Sequence, residues 1–416
     1  MSNSYICSID LGSSKLAGCV AKIEKGKIRD MFFHSVPCRG LNQGRITDFF
    51  QLSASLNQLL NNLKKLSLAK IHCLYLNISS YGVITKHNFA AIPLAQRGSR
   101  LVNPYDIKMV QEEAIALSNS WEEEIIESIP LSYALDDREG ITNPLNLYAH
   151  KLGVDLLTIS LKSADFENIN HIFDKLGYEI KNIFINPLAV LKVILDKEKL
   201  NNGLYAIIDV GAQITDIGIY QDMKLLHIGN LVFGGDNLTH QIAQAMPLSF
   251  DLANQVKING SVAFAQDSES NNKEIMVKEA CGYRRISYGE LNKILTATCQ
   301  EFFVSLKNYL SKNIGNKRID RIFVCGKTAF LDGFLEMMEV ALGCEVKMVS
   351  FSHFSFLPSN ALNSLEGLTR FLDYVNCLAC VYKALESSSQ KAIFILPKNL
   401  FKKAIYWVRH LYQEYF

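Results

Sequence analysis

Two stretches far apart in the chain repeat one order of elements: SIDLGSSKLAGCV at residues 8–20 and IIDVGAQITDIGI at residues 207–219. Each runs an apolar strand into an Asp-x-Gly turn and out again as a second strand, and a third strand follows. Repetition constrains a fold more than either copy alone, because it predicts two halves of one design. The turns are also chemically loaded. Small residues let a ligand approach the backbone, and successive N–H groups in a tight turn make a nest for anions. Ser13, Ser14 and Lys15 add side-chain donors after Gly12, and Asp10 and Asp209 put a carboxylate beside each turn. Facing one another, two such hairpins form a two-sided phosphate clip, with both aspartates aimed at one hard cation such as Mg²⁺.

The opening reads as a β-meander, a helix over DFFQLSASLNQLLNNLKKLSLA and a buried strand, IHCLYLNIS. From about Tyr81 to Leu161 the texture changes to a small α+β insertion with its own turns. A helix–strand rhythm then resumes, and the second copy begins after DKEKLNNG. Gly234, Gly235 and Asp236 open the next helix, where free N–H groups suit a phosphate or ribose. RIDRIFVCGKTAFLDGFLEMMEVAL gives strand, Gly326, then helix, a place for a purine or ribose contact. The tract AQDSESNNK at 265–273 is polar and expected to be a mobile loop.

Composition excludes several classes. A net charge of +2 over 416 residues lacks the basic excess of a nucleic-acid binder. Ten irregularly spread cysteines read as reduced thiols of a cytosolic protein, and CLAC at 377–380 as buried helix residues, with no second pair to complete a zinc site. No signal peptide is expected, and the most apolar run, IFINPLAVLKVIL, is too short to span a bilayer and is broken by Pro187 and Lys192.

The last residues are different. KNLFKKAIYWVRHLYQEYF places Phe401, Ile405, Val408, Leu411 and Tyr412 at helical spacing, with Trp407 bordering that face and Lys402, Lys403 and Arg409 opposite. Lys398 brings the basic count at 398–416 to four, against the single acid Glu414. An amphipathic helix of this kind lies in the headgroup layer of an anionic membrane. One copy binds reversibly, and several along a polymer gain avidity.

In this order, Asp-x-Gly-Ser-Ser-Lys, Asp-x-Gly-x-x-x-Thr-Asp, Gly-Gly-Asp and a glycine before a helix resemble the actin/Hsp70-like ATPase superfamily, and within it the FtsA family of bacterial division proteins. CRGLNQGRITD is similar to a further family segment, and the insertion sits where that family carries its 1C domain. The resemblance implies an α/β, actin-like two-lobed fold of duplicated RNase H-like domains, with a small α+β 1C insertion and a C-terminal amphipathic helix. It implies subdomain 1A at 1–81, 162–201 and 361–385, 1C at 82–161, 2A at 202–224 and 299–360, 2B at 225–298, a linker at 386–397 and a membrane helix at 398–416. ATP and Mg²⁺ would be held by Asp10, Gly12, Ser13, Ser14 and Lys15 in the first loop and by Asp209, Gly211, Gln213 and Thr215 in the second. Gly234, Gly235, Asp236, Gly326 and Lys327 would complete the nucleotide site, with Asp10 and Asp209 on the metal.

The family pattern is altered at three points. Ala212 and Gln213 replace two glycines of the second loop, Lys327 replaces the second glycine after the adenosine strand, and TAT at 296–298 stands where a Glu-Pro-Arg-like triplet lines the adenine pocket. A Cβ at positions 212 and 213 crowds the phosphate approach unless Gln213 itself hydrogen-bonds to phosphate, so the altered loop and adenosine pocket imply weakened ATP binding. No residue stands out to orient an attacking water, so the resemblance implies an ATP-dependent assembler and at most a weak ATPase. Its implied partners are the C-terminal peptide of FtsZ, received on 2B near Arg284 and Arg285, other division proteins, further copies of the chain in filaments, and an anionic membrane at the cytoplasmic face of the inner membrane. Contacts along a filament would involve RGSRLVNPYDIKM of the insertion. DVGAQITDI also resembles the looser second loop of PilM-like components of type IV pilus or secretion assemblies, an alternative against which the C-terminal helix speaks. A sugar kinase would require intact glycine loops.

Overall fold

The two hairpins of the repeat sit in two separate five-stranded sheets of one topology. In the computed structural model the first sheet has the order Glu179–Ile185, Cys73–Ile78, Ser4–Leu11, Lys15–Glu24, Lys27–Pro37. The second runs Glu345–Met348, Arg321–Cys325, Leu204–Val210, Thr215–Gln221, Lys224–Leu231. In both, two parallel neighbours flank the leading strand on one side and an antiparallel meander flanks it on the other. The structure describes residues 4–389, apart from 97, 199, 201, 223, 259, 261–273, 280–281, 316, 355, 360, 362–364 and 366–367. The polar tract at 265–273 and the expected membrane helix, with Phe401, Ile405, Trp407, Val408, Leu411, Tyr412, Lys402, Lys403 and Arg409, lie outside the described residues.

The chain divides into two compact units. The larger takes in residues up to Lys86, Asn119–Ser128 and Thr158–Lys383, and carries both five-stranded sheets. Helix Phe49–Ser67 starts where the Asp48 carboxylate accepts the Gln51 N–H at 2.9 Å, and buries Leu52, Leu56, Leu59, Leu60 and Leu63. Helix Tyr288–Ile314 is capped by Ser287 and buries Leu291, Leu295, Cys299, Phe302, Phe303, Leu306 and Leu310. Phe302 stacks on Phe233, ring centres 4.1 Å apart, which packs the residue before Gly234 onto this core. Cys377 and Cys380 are fully buried on helix Val375–Ser389. That helix continues through residues expected to open the linker at 386, because its apolar face is still packed there at Ala384. Among the described residues no helix is long and apolar enough to cross a membrane.

Among the described residues, the smaller unit takes in His87–Ser118, Ile129–Leu157 and 384–389. A four-stranded sheet, in the order Arg138–Ile141, Glu123–Leu135, Lys151–Lys162, Ile84–Pro93, accompanies helix Pro104–Ser118. Its core includes Val102, Val110, Ala114, Tyr133, Leu152 and Val154. The Arg100 guanidinium bonds both oxygens of Asp106, at 2.7 and 2.6 Å, and holds that buried carboxyl below its usual range.

Candidate functional site: two matched hairpins

Cross-strand pairing makes the hairpins equivalent residue by residue. Asp10 pairs with Ala17 and Leu11 with Leu16; Asp209 pairs with Asp216 and Val210 with Thr215. Each turn therefore holds four residues, and each glycine is required for the same reason. A Cβ at Gly12 would meet the Lys15 carbonyl at 2.8 Å, and one at Gly211 would meet the Ile214 carbonyl at 2.8 Å. Ser13 and Ser14 lie at the accessible tip of the first turn.

The acids at the two strand ends meet. Asn376, in the first turn of helix Val375–Ser389, donates from Nδ2 to Asp209 Oδ2 at 2.9 Å and to Asp10 Oδ2 at 3.5 Å. Burial, with Asp209 beside it, pushes the Asp10 carboxyl up to about 7, and burial also raises that of Asp209. Two carboxylates that disfavour each other's charge fit a divalent cation, and the Oδ1 of Asn376 is buried without a hydrogen-bond partner. Lys15 and Lys327 converge on a different acid. Both pair with Asp373 Oδ1, Lys327 at 2.7 Å. Burial, and then Lys327, lower the Lys15 ammonium to about 8.

The second loop is clamped from behind. Gly235 N and Asp236 N donate to the carbonyls of Gly211 at 3.0 Å and Ala212 at 2.7 Å. The N–H groups expected to be free for a ligand at this helix start are thus bonded to the loop itself. A Cβ at Gly234 would lie 2.6 Å from the Gly211 carbonyl, so this glycine allows the close approach of helix and loop. Thr215 is fully buried and its hydroxyl donates to the Phe233 carbonyl at 2.9 Å, while Thr328 Oγ1 donates to the Gly211 carbonyl at 3.1 Å. Gln213 Oε1 accepts the Gln43 N–H at 2.7 Å, which ties the second hairpin to the first half of the chain. Gly326, at φ 92°, packs on the end of strand Leu204–Val210.

Several residues here have contacts that the sequence pattern does not show. Asp216 accepts from Ser79 Oγ, Ser80 N and Ser80 Oγ, each at 2.7 Å, and from Asn186 Nδ2 at 3.0 Å. It closes the Asp-x-Gly-x-x-x-Thr-Asp pattern, which was its one signal in the sequence. Lys257, on helix Phe250–Lys257, donates to the Gly235 carbonyl at 2.9 Å and to Thr239 Oγ1 at 2.8 Å, and burial lowers it to about 8. Asp373 and Asn376 enter from the far end of the chain.

Arg284 and Arg285 lie apart from this site, on strand Gly282–Ser287 of a hairpin with Glu274–Glu279. Adjacent strand residues face opposite ways, so the two arginines do not form one basic patch. Arg284 bonds the Pro247 carbonyl at 3.1 Å, whereas Arg285 is exposed, 3.5 Å from Glu274, beside exposed Tyr283 and Met276.

The geometry agrees with comparisons to known proteins. The model of the family "Cell division protein FtsA" matches residues 206–366, and that of the "SHS2 domain inserted in FTSA" matches 84–160, together more than half of the chain. The chain belongs to the FtsA family. Cell division protein FtsA of Pseudomonas aeruginosa is 22% identical over 354 residues, covering 83% of each chain. FtsA of Bacillus subtilis is 24% identical over 358 residues, covering 84% of this chain and 79% of its own. Among solved structures, the PilM-PilN type IV pilus biogenesis complex aligns with a TM-score of 0.62 at 15% identity, over 91% of this chain and 98% of that one. MreB5 of Spiroplasma citri, bound to AMPPNP, aligns with a TM-score of 0.52 at 14% identity, over 94% and 99%. These likenesses show the actin-like fold of this FtsA-family chain.

Proposed function

We propose that this FtsA-family protein is a division scaffold that binds ATP between its two hairpins, assembles into filaments and tethers FtsZ to the cytoplasmic face of the inner membrane. The observation that carries the nucleotide part is the meeting of Asp10 and Asp209 from hairpins of identical register. The turns at Gly12–Lys15 and Gly211–Ile214 flank the phosphates, with Lys15 supplying positive charge. Asp10 and Asp209 hold Mg²⁺, which when bound screens the charge of the phosphates. Lys257 and Gly326 flank the nucleoside side, with the Lys327 side chain turned toward the acid that Lys15 also meets, and ATP acts there as an assembly ligand more than as a substrate for rapid turnover.

The remaining roles follow the family. On the smaller unit, Leu101, Tyr105, Met109 and Tyr148 expose apolar surface, which suits contacts along a filament. Tyr283, Arg285 and Met276 present an aromatic and cationic face to the FtsZ peptide, which narrows the expected basic contact to Arg285. The basic amphipathic segment at 398–416 supplies the membrane contact. Liposome co-sedimentation tests the tether: the full chain should pellet with anionic vesicles, more so with Mg·ATP, and a version ending at Ser388 should not. Sedimentation indifferent to the truncation would remove the membrane role. For the partner, Arg285→Glu should abolish binding of a labelled FtsZ C-terminal peptide in an anisotropy titration, and unchanged binding would exclude this face.

A further inference from the structure

The turn after strand Arg321–Cys325 is where the chain departs from its family's Gly-Gly, and the departure has a partner. Lys327 follows Gly326 and reaches Asp373 Oδ1 at 2.7 Å. Lys15, from the first hairpin, meets the same oxygen. Two ammonium groups from opposite halves of the repeat thus share one carboxylate, and Asp10 and Asp209 act on Lys15 from the other side. The Lys327 side chain remains 53% exposed and that of Lys15 30%, so both can be reached by a ligand, while Asp373 is only 16% exposed. A carboxylate held by two lysines at the mouth of a phosphate clip is an internal anion in the place of an external one.

We infer that Lys15 and Lys327 form a two-lysine clamp for a terminal phosphate of the nucleotide, and that Asp373 is the internal anion this phosphate displaces. The inference rests on the nucleotide site proposed above and adds to it a ligand that the family pattern does not supply. Lys327 compensates for the two glycines missing from the second loop: with Gln213 bonded to Gln43, the added charge arrives from the neighbouring turn instead. Competition follows directly. Phosphate gains both lysines only when Asp373 lets go, so the acid weakens binding and the lysine strengthens it.

The test is a calorimetric titration of the full chain with Mg·ATP, using wild type, Lys327→Ala and Asp373→Asn, each checked for folding by its thermal transition. Loss of one charge-assisted phosphate contact should weaken ATP binding about 10- to 100-fold in Lys327→Ala. Removal of the competing anion should tighten it severalfold in Asp373→Asn, and the tightening should shrink, to what the release of Lys15 alone supplies, when Lys327→Ala is added. Inorganic tripolyphosphate should compete with ATP in wild type and less well in Lys327→Ala. Equal ATP affinity in wild type and both single variants would overturn the clamp while leaving the nucleotide site standing. Absence of ATP binding in wild type and in Asp373→Asn alike would overturn the nucleotide site itself, and the clamp with it.

Discussion

Replacing Gly326 by alanine tests whether the second hairpin and the turn behind it are as tightly packed as their backbone contacts imply. Gly326 has φ 92° and ψ 145°, a region essentially restricted to glycine. An added Cβ would also lie 2.7 Å from the Val210 carbonyl carbon and 2.8 Å from Asp209 Oδ1, and closer still to the Val210 carbonyl oxygen. The conformation costs about 1–3 kcal/mol, and forcing a methyl into packed backbone adds about 1–3 kcal/mol. Gly343 provides the comparison. It ends helix Phe334–Leu342 at φ 70° with nothing within 4 Å of its added Cβ, so Gly343→Ala should carry the conformational cost alone, about 1 kcal/mol. Urea unfolding of both variants reads the difference. The Gly326 variant should lose about 2–6 kcal/mol, a large part of the stability of an ordinary domain. Equal losses at the two glycines would refute the packing argument, because both the space around the Cβ and the backbone region predict the larger loss at Gly326.

Other expectations concern charge and core. Burial, and then Asp209, lift the Asp216 carboxyl from 3.8 to about 6, so its contribution to stability is complete below pH 3.8 and is lost as the pH rises through 6. That loss is about 3 kcal/mol, and Asp216→Asn should flatten the measured stability between pH 4 and 7; an unchanged slope would assign the titration to another group. Phe302→Ala removes a buried ring stacked on Phe233 and flanked by Phe303 and Phe334, and should cost about 3–5 kcal/mol in thermal or chemical unfolding. Arg100→Ala leaves the buried Asp106 without its two charged bonds and should destabilise the smaller unit by about 1–3 kcal/mol, seen as faster amide exchange in helix Pro104–Ser118.

The repeated hairpins were legible because strand, acid, glycine and strand are local signals, and turn length follows from spacing. The helix over Phe49–Ser67 was legible for the same reason: Asp48 caps it and leucines recur at helical spacing. What escaped was the use made of donors and charges. The helix start at Gly234–Asp236 looked open, yet its N–H groups go to Gly211 and Ala212, a pairing set by how the helix docks on the loop. Gln213 read as either crowding or bonding phosphate; its Oε1 accepts from Gln43, 170 positions away in sequence, a contact no local pattern marks. Arg284 and Arg285 read as one basic element until strand alternation separated them. Asp373 and Asn376 had no signature because their importance lies in which distant turns they touch.

Asp216 leads to a mechanical conclusion. It belongs to the second sheet, but its donors come from Ser79 and Ser80, at the end of a first-sheet strand, and from Asn186. Ser80 is bonded in turn to the Gly229 carbonyl and accepts from Asn230 Nδ2. Several short bonds converging on so small a region resist sliding in every direction but tolerate a change of angle. Any opening of one sheet against the other must therefore break this cluster or turn about it, and must also strain the Gln43–Gln213 bond and the Asn376 contacts to Asp10 and Asp209.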